Sequence, residues 1–247
     1  MSNVESAYPL KRISMWSGPR NVSTAFMYAF HHRGDCEVID EPYYAYYLKH
    51  TGIEHPMREE ILSVQENTAA KVTERLCKGS TEKPYLFMKN MPHHMVDVDL
   101  DFAQEFQNFF LIREPRAMIA SYLQKRGDVT MKDLGLDTQY ELFESLSKFG
   151  KKVPVIDSRT LLNNPREVLT KLCIHLDIPF KESMLEWPAG ALAQDGIWAE
   201  HWYANVHRST GFGAAKNESE VLIPRHLEGL ASLCDDYYEA LKKMEIR

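Results

Sequence analysis

The chain has 247 residues, of which 44% are apolar and 11% aromatic, with a net charge of −6. Such a composition suits a globular core and argues against a general nucleic-acid surface, so an anionic ligand has to be met by local Arg and Lys. No run of sequence approaches the ~20 apolar residues of a membrane span, and the first residues, MSNVESAYPLKR, lack the apolar stretch of a signal peptide. Four cysteines (Cys36, Cys77, Cys173, Cys234) stand far apart without a CxxC pair, the pattern of reduced thiols in a cytoplasmic protein. No long Gly/Ser/Pro linker divides the chain, so a single domain over 1–247 is expected.

Residues 11–17, KRISMWS, predict a short buried strand. Gly18 and Pro19 break it. Arg20, Asn21, Ser23 and Thr24 follow, then a mostly apolar helix through Phe30. A strand, a tight turn and a helix opening on small polar residues make an anion site, because the first helical N–H groups lack partners and point back at the loop. The hydroxyls and the guanidinium add donors. The loop is not a Walker A motif, since GxxxxGK[ST] is absent. Taken alone it also describes an ordinary capped strand–helix turn.

CEVID (36–40) predicts a second strand, stopped by Glu41–Pro42, and four tyrosines crowd 43–47. One helix is predicted over 56–78 with Pro56 in its first turn. PYLFMK (84–89) predicts a third strand, 97–106 a helix, and NFFLI (108–112) the clearest buried strand. Helices are expected at 113–126, 137–150, 165–177 and 226–243, a fifth strand at 153–157, and irregular structure over 180–225. Alternating strands and helices imply an α/β fold, three layers α/β/α around a central, mostly parallel sheet of about five strands. Ligands in such folds sit at the carboxyl ends of the strands. Residues 17–24, Asp40, Glu41, the stretch 89–94 and Arg113 all fall there.

Arg113 directly follows NFFLI, with Ser121 eight residues on, about two helical turns later. An Arg at a strand's end can clamp a phosphate through paired hydrogen bonds. Together, 13–24 and 109–122 resemble the sulfotransferases, which transfer a sulfuryl group from 3′-phosphoadenosine 5′-phosphosulfate. Their first loop, of PxxGTT or PKxxST type, is similar to Pro19-Arg20-Asn21-Val22-Ser23-Thr24, and their Arg-x-Pro-Arg…Ser motif to FFLIREPRAMIASY. VPVIDSRTLLNNPREVLTKLCIHLDIPF (153–180) is similar to their later strand–helix segment.

The resemblance implies a P-loop NTPase-like fold and in-line transfer to a hydroxyl or amine of a small-molecule or glycan acceptor. It implies nucleotide contacts from Gly18, Pro19, Arg20, Asn21, Val22, Ser23 and Thr24, with Arg113 and Ser121 at the 3′-phosphate. Arg20 stands where many members have Lys, and Val22 where Gly is common. The late RKGxxGDWKN motif is absent; WAEHWYANVHRSTGF (198–212) is the stretch in its place, with Arg208 as the cation. The KxxxTVxxxE dimerisation signature is missing as well, which leaves the oligomeric state open.

Catalysis in such a scheme is positioning and charge stabilisation, with Arg20 on the leaving phosphate and no metal required. A base must take the acceptor's proton. Glu41 is the first candidate, since its Glu-Pro pair resembles that of bacterial sulfotransferases whose Glu is the base. His93 (or His94) is the second: MKNMPHH falls where cytosolic sulfotransferases carry Lys-Thr-His, with Lys89 matching the Lys but Met91 in the His position. The tyrosines at 43–47 either line an acceptor pocket or pack internally. Specificity is expected from 42–60, 91–97, 127–137 and 185–215. Two other readings stay open, a small-molecule P-loop kinase and a non-catalytic nucleotide-binding module. Neither nucleic acid nor membrane is expected as a partner.

Overall fold

The computed structural model describes residues 9–124, 127–148, 150, 152–215 and 221–246. Five strands form one sheet: β1 (Lys11–Ser17), β2 (Cys36–Asp40), β3 (Tyr85–Asn90), β4 (Gln107–Ile112) and β5 (Val155–Asp157), in the order β2-β3-β1-β4-β5 with every pairing parallel. The helices are α1 (Ser23–His31), α2 (Tyr44–Thr51), α3 (Arg58–Val64), α4 (Ala69–Lys78), α5 (Pro115–Leu123), α6 (Met131–Leu134), α7 (Leu136–Ser147), α8 (Ser158–Asn163), α9 (Pro165–His175), α10 (Ala199–Trp202), α11 (Ala204–His207) and α12 (Glu228–Lys242).

Successive strand residues face opposite sides of the sheet, and here both sides are apolar, as a sheet covered twice requires. On one face Ile13, Met15, Val38, Phe87, Phe109, Leu111 and Ile156 pack under α1 and α9, which contribute Phe26, Phe30, Leu169 and Leu172. Phe30 stacks on Phe87 with ring centroids 4.2 Å apart. On the other face Trp16, Leu86, Met88, Phe110, Ile112 and Val155 meet Val72 and Leu76 of α4, Leu142 and Phe143 of α7, and Tyr238 and Leu241 of α12. Burying each of these large side chains contributes roughly 1.5–3 kcal/mol, so the two faces together hold the sheet rigid. The three layers follow.

Several predicted elements change. The helix expected over 56–78 breaks into α3 and α4 at Gln65, whose side chain serves other backbone: its Oε1 accepts from Ala45 N (2.8 Å) and its Nε2 donates to Glu41 O (2.9 Å). The crowded tyrosines fold as α2. Residues 97–106 form only a 3₁₀ turn, Asp101–Glu105. There Asp97 takes φ +54° and Asp99 Oδ1 accepts from Asp101 N, the local bonding by which Asp competes with helix. Helix α8, unforeseen, starts straight off β5 because Asp157 caps it, accepting from Arg159 N and Thr160 N. Helix α5 starts at Pro115, with Glu114 as its N-cap. Its predicted end at 125–126, and position 149 of the helix expected over 137–150, lie outside the described residues, as do the first eight residues. Among the described residues no helix is long and apolar enough to cross a membrane, and all four cysteines are free.

β1 lies between β3 and β4, and β2 lies beyond β3. The carboxyl ends of β1, β2, β3 and β4 therefore open into one space.

Candidate active site

The loop after β1 is tight. A Cβ on Gly18 would come within 3.1 Å of both Leu134 O and Met118 Cε, so the position has little room for a side chain. Arg20 takes φ +55°, a left-handed conformation that costs a non-glycine residue of order 1 kcal/mol and that surrounding contacts must hold. They do. Arg113 Nη1 donates to Arg20 O (2.5 Å), and Arg20 Nε donates to Ser121 Oγ (3.1 Å). Asn21 ties the loop to β4, its Nδ2 donating to Leu111 O (3.2 Å), while its Oδ1 accepts from Val22 N (2.8 Å). Among the described residues no side chain caps the N-terminus of α1, where Ser23 is buried and Thr24 lines the adjoining cleft. Burial, and then the nearby Arg113, lower the pKa of the Arg20 guanidinium.

A cavity of about 170 Å³ opens beside this loop. Pro19, Arg20, Asn21, Ser23 and Thr24 form one side. Glu41 and Lys89 form its floor, and the walls include Tyr44, Tyr47, His93, His94, Trp198, Trp202 and Tyr203.

The floor is a buried charge cluster. Parallel pairing of β2 and β3 sets Asp40 beside Lys89. The Lys89 side chain is 1% exposed, and its ammonium donates to Asp40 Oδ1 (2.7 Å), Glu41 Oε1 (2.8 Å) and the Tyr203 hydroxyl (2.5 Å). Tyr203 in turn donates to Asp40 Oδ2 (2.7 Å) and accepts from Trp198 Nε1 (3.0 Å). Gly196 N also donates to Asp40 Oδ2 (3.1 Å). Both oxygens of Asp40 are thus engaged, whereas the bond to Glu41 reaches Oε1. Burial opposes a charge on Lys89, but Asp40 and Glu41 outweigh it and raise its pKa well above the ordinary value. Burial raises Glu41 above the usual carboxylate range; Lys89 opposes the rise and Asp40 adds to it. Glu41 takes φ +41°, pinned by its N–H to Lys89 O (2.9 Å) and by Gln65 on its carbonyl.

The walls are aromatic. His94 stacks on Tyr44 and on Tyr47, with centroids 4.9 and 4.7 Å away. Burial holds His93 near pKa 4 and pushes His94 well below the usual imidazole value, so both rings are neutral at pH 7. His93 packs against Gly135, where an added Cβ would stand 3.2 Å from its Nδ1.

The structure brings Arg20, Glu41 and His93 to one cleft, with Arg113 and Ser121 gripping Arg20 from behind. Val22 packs into the core beneath α1. Arg208 is exposed after α11, bonding Asn205 Oδ1 (2.9 Å), and is not among the residues lining the cleft. Tyr203 and Trp198 were missed as site residues. The resemblance singles out the arginine of their stretch, whereas the usable signal there is its aromatic density. Among the described residues no group of three or more His, Cys, Asp or Glu side chains is placed to hold a metal ion.

The family model described as "Sulfotransferase domain" matches residues 11–243. Two proteins of Arabidopsis thaliana are similar in sequence. "Branched-chain-amino-acid aminotransferase-like protein 2" is 35% identical over 231 residues, covering 93% of this chain and 41% of that protein. Protein 1 of the same name is 38% identical over 205 residues, covering 83% and 37%. The chain therefore spans about two fifths of the length of these relatives. Among solved structures, the "Sulfotransferase Domain from the Curacin Biosynthetic Pathway" shares the fold with TM-score 0.61 at 14% identity, over 93% of this chain and 98% of that one. The "Sulfotransferase Domain from the Synechococcus PCC 7002 Olefin Synthase" does so with TM-score 0.58 at 18% identity, over 95% and 96%. With the family pattern running through nearly all of the sheet and its helices, the chain belongs to the sulfotransferase domain family.

Proposed function

We propose that this protein transfers a sulfuryl group from 3′-phosphoadenosine 5′-phosphosulfate to a hydroxyl of a small acceptor. The observation that carries the reading is Arg20, held between Arg113 and Ser121 beside the uncapped start of α1, with Glu41 across the same cleft. The Arg113 guanidinium bonds the Arg20 carbonyl and its charge disfavours that of the Arg20 side chain, and a bound dianion relieves that repulsion. The helix start and the backbone amides favour the same charge.

In this reading the loop amides, Ser23, Thr24 and Arg20 bind the 5′-phosphosulfate, while Arg113 and Ser121 hold the 3′-phosphate. The acceptor oxygen forms a bond to sulfur as the bond from sulfur to the bridging phosphate oxygen breaks, and adenosine 3′,5′-bisphosphate leaves. Arg20 stabilises the charge that develops on that oxygen. Glu41 takes the acceptor's proton. Asp40 is unsuited to that task because both its oxygens are engaged. His93 is less suited than Glu41, because its Nδ1 faces Gly135 and its low pKa makes it a weak base. The aminotransferase-like names of the plant relatives describe proteins of which this chain matches only part, and they supply no step here.

Calorimetric titration with adenosine 3′,5′-bisphosphate tests the nucleotide site. Wild type is expected to bind, and Arg113→Ala to bind about 2–4 kcal/mol more weakly. A folded wild type that takes up ATP with Mg²⁺ and ignores the bisphosphate would instead favour the kinase reading.

A further inference from the structure

One ammonium faces two adjacent carboxylates on the cleft floor, so Lys89 cannot neutralise both Asp40 and Glu41. Glu41 lines the cleft, whereas Asp40 is not among the lining residues. The difference lies in the second oxygen of Asp40, which accepts from Gly196 N (3.1 Å) and from the Tyr203 hydroxyl (2.7 Å). Both donors come from one late segment of the chain.

Residues 188–198 of that segment form neither helix nor strand. Their fixed point is Asp195. Its side chain is 4% exposed, and its Oδ2 accepts from the Tyr28 hydroxyl (2.7 Å), Leu192 N (3.0 Å) and His207 Nε2 (3.0 Å). A carboxyl group buried this deeply is held only where donors converge on it. Tyr28 is fully buried on α1, the helix that begins at the anion loop. Burial, and then the bond to Asp195, raise its phenol above the ordinary value, so it stays a donor. His207 ends α11, so Asp195 closes the chain on itself around α10, Tyr203 and α11. Gly190 N donates to His207 O (2.8 Å) and ties the same closure a second time.

From this latch the chain runs straight to the floor. Gly196 is the next residue. Its amide reaches Asp40, and its carbonyl accepts from Ala199 N (2.8 Å) at the start of α10. A Cβ on Gly196 would run into the Trp198 ring, so the indole packs directly on the glycine. Trp198 Nε1 in turn donates to the Tyr203 hydroxyl (3.0 Å). Neither Asp195 nor Tyr28, Leu192 or His207 lines the cleft, so whatever Asp195 does for the chemistry it does through these neighbours.

We propose that Asp195 is a positioning residue: it latches the strap 188–198 to α1 and α11, holds the Gly196 amide and the Tyr203 hydroxyl on Asp40, and thereby leaves Glu41, not Asp40, as the carboxylate that can act as base. The proposal deepens the sulfotransferase reading and rests on it for naming Glu41 the base.

The test is carboxyl labelling of the free protein with a water-soluble carbodiimide and glycinamide, located by tandem mass spectrometry, with neither nucleotide nor acceptor present. Wild type is expected to label Glu41 ahead of Asp40. Asp195→Ala, which removes the latch, and Gly196→Ala, which displaces Trp198, should each speed labelling of Asp40 about 10-fold or more, as loss of one or two net hydrogen bonds permits. Tyr28→Phe should do so severalfold, and it decides the matter where Asp195→Ala does not fold. Asp157, buried on the strand at the opposite edge of the sheet, is the internal standard and should label at the same rate in every variant. Three results overturn the proposal: Asp40 as protected in the variants as in wild type, Asp40 and Asp157 rising together as general loosening would make them, or wild type labelling Asp40 as fast as Glu41. The sulfotransferase reading stands or falls separately. A wild type that fails to bind adenosine 3′,5′-bisphosphate removes that reading and leaves the latch, while unmoved labelling removes the latch and leaves the nucleotide site.

Discussion

Asp40 and Lys89 occupy paired positions on neighbouring parallel strands, and the Lys89 ammonium lies 2.7 Å from Asp40 Oδ1 in a fully buried setting. Taking a lone charge out of water costs several kcal/mol, so such a pair survives only with near-complete hydrogen bonding. Here Glu41 and Tyr203 complete it. The cluster joins the ends of β2 and β3 to the segment that carries α10, and so fixes the floor of the cleft.

Lys89→Met tests that cluster. It leaves Asp40 and Glu41 buried side by side without their cation, and unfolding stability at pH 7 should fall by roughly 3–5 kcal/mol in urea titration. Adding Asp40→Asn and Glu41→Gln to the same chain should restore most of the loss. A drop below ~1 kcal/mol in the single variant would show that the ammonium is not what holds the carboxylates.

Tyr203→Phe removes one hydroxyl that serves both Asp40 and Lys89. The stability cost should be smaller, about 1–3 kcal/mol. Tyr203 also favours the ionised form of Glu41. Without it Glu41 rises further, and since a base acts only when deprotonated, the acid limb of kcat/KM moves to higher pH. An unmoved acid limb, measured with any competent acceptor, would separate Tyr203 from the base.

Ser121→Ala removes the acceptor of Arg20 Nε. Affinity for adenosine 3′,5′-bisphosphate should fall by ~1 kcal/mol, about fivefold. Because Arg113 and Ser121 both hold Arg20, the double variant Ser121→Ala/Arg113→Ala should lose less than the two single losses added together. Strict additivity in calorimetry would mean that the two residues act on separate parts of the ligand.

His93 gives the fold a pH dependence. Its pKa is about 4 in the folded chain because burial disfavours the charged ring, against an ordinary 6.5 when unfolded. Above pH 6.5 both states are neutral there. Between about 6.5 and 4 the unfolded chain takes up a proton that the folded chain refuses, so stability falls as pH falls. The loss is at most roughly 3 kcal/mol, and less because the ring keeps some contact with solvent. Unfolding titrations from pH 7 to 4.5 should show a steeper fall for wild type than for His93→Gln; parallel curves would mean that the ring ionises freely when folded.

By itself the sequence determined the elements whose signal is local. The runs at 11–17, 84–89 and 108–112 became β1, β3 and β4 because an inner strand covered on both faces needs apolar residues in succession, and 36–40 became the edge strand β2 with alternating burial. The strand–turn–helix of residues 11–31 was legible for the same reason: its turn, its small polar residues and the following helix are contiguous. Arg113 and Ser121 were legible through their spacing from the end of β4, Arg113 in the turn before α5 and Ser121 within it.

Only the tertiary structure decided where the late segment goes and what holds Glu41. Asp40 and Lys89 are 49 positions apart, and Lys89 and Tyr203 another 114. Their attraction is strong only where strand register and packing have already excluded water. The break between α3 and α4 had the same origin, since Gln65 leaves the helix to bind backbone at Glu41 and Ala45. Local propensity carries no information about partners that the fold alone brings together.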